Sequence, residues 1–599
     1  MNRAERIVAS LEALLKEPPS PGAVLALPAV LEEFGASCSD TRIAFSGQRL
    51  SLLEDLRASV RELGPTTRSA IDTELRDLLR VAAVALGTKK DPSLAVLATA
   101  LEAVHALEEK LERSETIRDA WTDFVTAVRR SHSLDTVWSR HRLLFAMLEA
   151  AGHDAEECRK ELQAVLLGTS GPGSEGHSFG DEPATSAAER LAFCEEVVIR
   201  PATVGHCVVW LSYIGNLRDD FVLDAGPATF YQSSWAVPNA RLKDGPTFAH
   251  REDLRKLAQG WNDVPDDPEI VIARFDLDVR EAAGAMAEAH RRSAFLVGQA
   301  SLAARARSWK EHGWHALVID ENGGHVSNFA TDEQVAEWDD PAHRRAIGIA
   351  LAETAPLAAK GIGLLPSQLA EAVDTATLAR DAELRARVLL RFRTLELVAS
   401  QMALYKVEEL LDLVQGPWAF RKVQDEINTA LYLTVMGAGH EVNPALRNEL
   451  LRGALVPLGL EGRRRVEYHA AITQAAALEA LCRTEVQRLA LRNALASLND
   501  GRQFALRIQR FDGLEQLLSG RLLRVRNAIT HGNPFTTAAA TSIDNYLMYL
   551  TEMLLSEAVG AAAGERELVA AIDERLADIS RIRTQLAAGG CFPEVLAPE

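Results

Sequence analysis

Residues 514–534 read Leu-Glu-Gln-Leu-Leu-Ser-Gly-Arg-Leu-Leu-Arg-Val-Arg-Asn-Ala-Ile-Thr-His-Gly-Asn-Pro. Leu514, Leu518, Leu522, Val525 and Ile529 recur at spacings of four, four, three and four. That is the apolar stripe of an amphipathic helix. Gly532 sits where a left-handed C-terminal cap is favoured, and Pro534 cannot continue a helix. The stretch therefore predicts a helix that ends near His531. Asn527 and His531 are four apart and share a face. Arg526 lies about a quarter turn from Asn527, and the three polar residues flank Ile529 on the open side.

Those residue types suit one chemistry. RNA carries its own nucleophile, the ribose 2′-OH. A histidine titrates near neutrality and can take or give a proton at that oxygen or at the 5′-oxygen leaving group. An arginine stays charged and can hold the phosphoryl oxygens bidentately as negative charge builds up. Asn527 would orient the histidine or a phosphate. Arg526, His531 and Asn527 are thus the candidate catalytic residues, and neither a metal nor a cofactor is required.

Arginine and histidine at this spacing also occur at Arg307/His312 and Arg464/His469, about the number that chance gives among 15 histidines. The 526–531 string differs in having Asn beside the Arg, Gly after the His and an amphipathic helix before it. A bland reading competes with the nuclease reading: a surface helix end capped by a histidine.

The string Arg526-Asn527-Ala528-Ile529-Thr530-His531-Gly532 resembles the signature of the HEPN superfamily. Residues 380–590 look like its abortive-infection (Apea-like) kind, with the apolar helix at Leu478-Glu479-Ala480-Leu481 upstream. The resemblance implies a helical bundle and a homodimer formed through it, with both Arg/His pairs at one composite site. It further implies metal-independent RNA endonuclease cleavage leaving a cyclic phosphate. Bacterial antiphage defence, a cellular RNA target such as tRNA, and a phage-derived trigger complete that expectation.

Charge is uneven along the chain. The whole is acidic, with 65 Lys+Arg against 84 Asp+Glu and a net charge of -19, which is unusual for a constitutive nucleic-acid binder. Yet Arg502, Arg507, Arg510, Arg521, Arg524 and Arg526 cluster before the histidine, against Asp500, Asp512 and Glu515. From this cluster Arg510, Arg521 and Arg524 are read as RNA-binding, a local basic site set in an acidic body. The same acidity favours an alternative: a non-catalytic helical scaffold whose bundle dimerises or binds a partner.

The fold class expected is mainly α, in three parts. Residues 1–167 form a helical N-terminal domain, with a helix starting at Asp91-Pro92 and others near 50–63 and 70–86. Residues 168–187, rich in Gly, Ser, Pro and Thr, form a linker. Residues 188–350 form an α+β sensor or regulatory domain, with strands at 207–213, 221–223 and 269–275 and a helix near 280–304. A hairpin follows, its strands at 315–320 and 325–329 turning at Asn322-Gly323. Residues 380–590 form the C-terminal helical bundle, with long helices at 389–413, 470–498, 543–559 and 565–586.

His312, His315, His325 and Asp320 lie close in sequence but match no metal-ligand spacing, so no metal is expected. The six cysteines are scattered without a CxxC pair, as buried thiols in a reducing compartment would be. The N-terminus lacks the apolar core of a signal peptide, and no apolar run is long enough to span a bilayer. A cytoplasmic protein without a membrane partner is expected. A P-loop, an HExxH helix and a GxSxG elbow are all missing, which disfavours a nucleotide motor, a zinc protease and a serine hydrolase.

Overall fold

The computed structural model describes, apart from short stretches, residues 3–168, 186–297, 310–319, 326–328, 367–437 and 468–595. The fold is mainly helical with one small sheet. It divides into two compact units. One comprises Met1–Met147, Leu162–Ile199 and Arg345–Glu599, and the other Leu148–Glu161 and Arg200–Arg344. The N-terminal helices and the C-terminal bundle, separate domains in the sequence reading, share the first unit. Most of the 168–187 linker lies outside the described residues.

The elements that matter here, in chain order, are α1 (Leu27–Ser39), α2 (Ser46–Arg61), β1 (Val204–Ile214), β2 (Val222–Asp224), β3 (Ala228–Gln232), α3 (Ser233–Arg241), α4 (Arg251–Gly260), β4 (Ile270–Glu281), β5 (Lys310–Ile319), β6 (Val326–Asn328), α5 (Ser367–Arg380), α6 (Leu384–Gln401), α7 (Pro417–Gly437), α8 (Glu485–Asn499), α9 (Gly501–His531), α10 (Thr537–Ala563) and α11 (Leu568–Ala587).

The second unit is built on an antiparallel six-stranded sheet in the order β2-β3-β4-β1-β5-β6. Side chains alternate across a strand, so β1 and β4 feed two cores. Val209, Leu211, Phe275 and Leu277 bury on one face with Phe230 of β3. Trp210, Ile272 and Tyr231 bury on the other against Ala236, Val237, Leu254 and Leu257 of α3 and α4. The expected strands at 207–213, 221–223 and 269–275 are all present within longer or shifted bounds. Ala228-Thr229-Phe230-Tyr231-Gln232 is a further strand that runs straight into α3 with no turn residue to mark it. The hairpin strands pair as expected, Leu317 opposite Ser327, while the turn lies outside the described residues. β4 continues through Glu281, past the expected helix start.

In the first unit, α9 buries Phe504, Ile508, Phe511, Leu518, Leu522, Val525 and Ala528 along one side. Each large apolar side chain so buried contributes roughly 1.5–3 kcal/mol. Leu514 and Ile529 of the expected stripe are only half-buried. Phe504 stacks on Phe592 with ring centroids 4.3 Å apart, which closes the C-terminal end of the chain over the start of α9.

Three expected helices are redrawn. The segment read as one helix over 389–413 breaks after α6, where Ala403 adopts φ 56° and the chain restarts at Val407. No Gly or Pro announces that turn. The segment read over 470–498 is three helices, Tyr468–Thr473, Ala475–Leu481 and α8. Thr484 caps α8 by accepting from the Gln487 amide at 3.1 Å, while Gln487 Oε1 accepts from the Thr484 amide at 3.3 Å. That is a capping box written openly as Thr-x-x-Gln. The helix expected from Asp91-Pro92 begins at Leu94, with Ser93 as its cap.

A buried ionic cluster ties the two ends of the chain together. Arg521 and Arg524 of α9 meet Asp55 of α2 and Glu33 of α1, and all four are almost fully buried. Arg521 Nε donates to Asp55 Oδ2 at 3.0 Å, and its NH1 donates to Ser542 of α10 at 2.7 Å. Arg524 Nε donates to Glu33 at 2.8 Å, its NH2 to Asp55 at 2.6 Å and its NH1 to Ser51 at 3.1 Å. Two positive and two negative charges balance. Burial pushes Asp55 up, but two guanidiniums outweigh it and hold the carboxyl below the usual range. Glu33 is pushed up by burial, which Arg524 only partly offsets.

Glu515 is a buried carboxyl of another kind. Its Oε2 accepts from the Gly416 amide at 2.9 Å, just ahead of α7. Gly416 has φ 101°, a conformation that favours glycine. Burial pushes the Glu515 pKa to about 7 from the ordinary 4.5. The folded state therefore holds a proton that the unfolded state has released. Stability from this group is full below about pH 4.5 and is lost as pH rises through about 7, on the order of 3 kcal/mol in all. Glu515→Gln is expected to remove that slope. Denaturant unfolding at pH 5 and pH 8 checks it: the variant should gain on the wild type at pH 8, and parallel stability in both buffers would contradict the assignment.

Candidate functional site

His531 is the last residue of α9, as the sequence reading expects. Gly532 follows with φ 71°, and its amide returns to the Ala528 carbonyl. The Asn533 amide reaches the same carbonyl at 2.9 Å. A Cβ at Gly532 would meet nothing within 4 Å, so backbone conformation and not space calls for glycine here. The cap leaves the His531 side chain exposed.

Arg526 is half-buried and held on three sides. Its NH1 donates to Asn527 Oδ1 at 2.9 Å. Its NH2 donates to Glu396 Oε1 of α6 at 3.1 Å. Its guanidinium carbon lies 4.9 Å from the centre of the Phe392 ring, within range of a cation–π contact. Asn527 thus orients Arg526 through its amide oxygen. Phe392 and Glu396 are four apart on α6 and so share its face.

α6 is itself anchored. Arg391 is buried and donates to Asp544 of α10 at 2.6 Å through Oδ1 and at 2.8 Å through the backbone carbonyl. Arg387 reaches Asp544 Oδ2 at 3.1 Å. Burial pushes the Arg391 guanidinium down, and Asp544 opposes that. This clamp fixes α6 against α10 and sets Glu396 and Phe392 opposite Arg526.

The arginines before the histidine do not form an open basic patch. Arg521 and Arg524, expected to bind RNA, are core partners of Asp55 and Glu33, with side chains 0% and 6% exposed. A phosphate cannot reach them in this conformation. Arg510, also expected to bind RNA, is exposed but paired with Asp135. Arg507 is paired with Glu426 and donates to Ser497 at 3.0 Å. Each partner lies far away in sequence, so the local run of arginines reads as more basic than it is.

No family model, curated protein or solved structure matches the chain. The chemistry open to the α9 terminus is set by its own side chains. It presents an exposed imidazole and, five residues earlier, a guanidinium that is oriented by an amide and neutralised by a carboxylate. Glu396 and Phe392 are the residues the sequence reading does not include. They carry no motif, and only the packing of α6 on α9 brings them in.

His312 and His315 of the second unit lie on β5. His312 is exposed, with Nδ1 3.3 Å from Ser212 Oγ. The ring of His315 lies 6.4 Å from that of His290. Asp320 and His325 lie outside the described residues. Among the described residues no group of three His, Cys, Asp or Glu side chains could hold a metal ion. A polar chain does cross the sheet: His206 Nε2 lies 2.8 Å from Asp276, and buried Arg274 bridges Asp276 and Asp253 at 3.2 Å each. Asp253 lies in the first turn of α4 and Asp276 on β4, so Arg274 ties the helix to the strand. Also among the described residues, no helix is long and apolar enough to cross a membrane.

Proposed function

We propose that the chain is a metal-independent RNA endonuclease of the HEPN kind, acting in bacterial antiphage defence, with Arg526, Asn527 and His531 as its catalytic residues. One observation carries the reading: an exposed histidine at a glycine-capped helix end, with an Asn-oriented arginine five residues before it. In this reading His531 moves the proton at the ribose 2′-OH or at the 5′-oxygen. Arg526 holds the phosphoryl oxygens while charge develops on them. The 2′-oxygen attacks phosphorus, the 5′-oxygen leaves with a proton, and a cyclic phosphate remains. A homodimer through residues 380–590 would place two such pairs at one site, with RNA, tRNA among the candidates, as substrate. A phage-derived trigger would release the activity.

Glu396 enters as a competitor. Substrate phosphate must displace its carboxylate from Arg526. Glu396→Gln is expected to raise cleavage at subsaturating RNA by roughly 2–5-fold, the yield of a half-exposed ion pair, with a smaller gain at high salt. Equal rates for wild type and variant at low salt would remove Glu396 from the account.

The reading is tested by expressing the wild type and the Arg526→Ala/His531→Ala variant in bacteria, with and without phage, and running total RNA on a gel. Fragmentation by the wild type alone supports it, and the condition that produces it identifies the trigger. A second reading, a helical scaffold without catalysis, is favoured by the ion pairing of Arg507, Arg510, Arg521, Arg524 and Arg526, which leaves little open positive charge. Motif-dependent cleavage by purified protein would rule it out.

A further inference from the structure

We propose that Arg385 docks single-stranded RNA beside His531 by taking a phosphate that neighbours the scissile one. The proposal rests on the nuclease reading for the reaction, but the binding stands on observations of its own. Arg385 is the second residue of α6 and is exposed. Its guanidinium carbon lies 5.1 Å from the centre of the Phe535 ring, in the segment between α9 and α10. Among the described residues it makes no ion pair and no side-chain hydrogen bond.

That sets it apart from its neighbours. On α6, Arg387 and Arg391 meet Asp544, and Arg393 meets Glu371 and Glu396. In the last turns of α9, Arg526 meets Glu396, and Arg521 and Arg524 are buried with Asp55 and Glu33. Glu383, two residues before Arg385, forms no ion pair with it. The first turn of α6 holds no acidic residue, and a cation there is disfavoured by the helix dipole. The stability of α6 therefore does not explain an arginine at this position. An aliphatic side chain would cover Phe535 as well.

Two contacts align α6 with the end of α9. Glu396 meets Arg526, and Arg385, nearer the start of α6, meets Phe535, later in the chain. The two segments run antiparallel here, and His531 falls between the two contacts along the chain. Arg385 and Glu396 are about 16 Å apart along the helix. His531 precedes Phe535 by four residues, a span of at most about 14 Å. A strand laid along this boundary would pass Arg385, His531 and Arg526 in turn. Arg526 starts out neutralised by Glu396, so the open charge that first draws a phosphate is Arg385. The ring holds the planar guanidinium and leaves its N–H edge for bidentate contact. One open cation suits a single strand, which can bend onto it, whereas a duplex is held by contacts across successive grooves.

The test is fluorescence anisotropy of a labelled oligouridylate with the full chain carrying His531→Ala, so that binding is read without cleavage. Arg385→Ala is expected to weaken binding roughly 5–10-fold at about 50 mM salt. It should also lower the slope of log affinity against log salt by about 0.7, the share of one phosphate on a single strand. Arg385→Lys should keep the slope and recover part of the affinity, because the charge stays and the planar fork is lost. With His531 intact, the loss from Arg385→Ala should fall on KM more than on kcat. Unchanged affinity and slope in Arg385→Ala overturn the docking role and leave the nuclease reading standing if the wild type cleaves. Arg385-dependent binding by a protein that does not cleave sustains the docking role and overturns the nuclease reading instead. Lack of binding by the His531→Ala chain up to about 0.1 mM overturns the proposal.

Discussion

Asp55→Ala is expected to destabilise the first unit by about 3–5 kcal/mol, the cost of breaking a buried ion pair from one side. Asp55 is the hub of the cluster. It accepts from both Arg521 and Arg524, and its loss leaves a fully buried guanidinium with Ser542 as its remaining partner. Coulomb attraction in a low-dielectric interior offsets the cost of desolvation only while every charge is matched. The pair of substitutions Asp55→Leu and Arg521→Met should therefore recover much of the loss. Denaturant unfolding of the two proteins measures both effects. A single variant within about 0.5 kcal/mol of the wild type would show that the cluster is not the joint between the chain ends.

His531→Ala is expected to lower RNA cleavage by roughly 10²–10⁴-fold, the range for removing a general acid or base. Arg526→Ala is expected to cost roughly 10²–10³-fold, as for other groups that stabilise transition-state charge. Neither should unfold the protein. His531 is exposed, and Arg526 gives up one half-exposed ion pair and a cation–π contact with Phe392, together worth about 1–2 kcal/mol. Cleavage rates alongside thermal unfolding separate catalysis from stability. A large drop in the unfolding midpoint for His531→Ala would make the helix end structural.

Much of the local structure is legible in the sequence because its causes are local. The end of α9 follows from Gly532, whose left-handed conformation needs no distant partner. The sheet strands follow from β-branched and aromatic runs such as Cys207–Tyr213. Thr484 and Gln487 announce the start of α8, although the apolar content on both sides reads as one continuous helix. The turn at Ala403 and the strand at Ala228–Gln232 have no punctuating residue, and tertiary packing alone sets them.

The candidate site divides in the same way. Arg526, Asn527 and His531 can be picked out by spacing. The fate of their neighbours cannot, because Arg524 meets Glu33 at a separation of 491 residues and Arg521 meets Asp55 at 466. A run of arginines reads as a basic surface only while its partners are unknown. Glu396, 130 residues before Arg526, belongs to the site because Asp544 fixes α6 in place, and no local pattern encodes that.

The sharpest measurement uses purified, EDTA-treated protein and tRNA, comparing the wild type with His531→Ala at equal concentration. Cleavage by the wild type should survive the chelator, yield 2′,3′-cyclic phosphate ends and be lost in the variant. Intact RNA with both proteins, or equal cleavage by both, would contradict the nuclease reading.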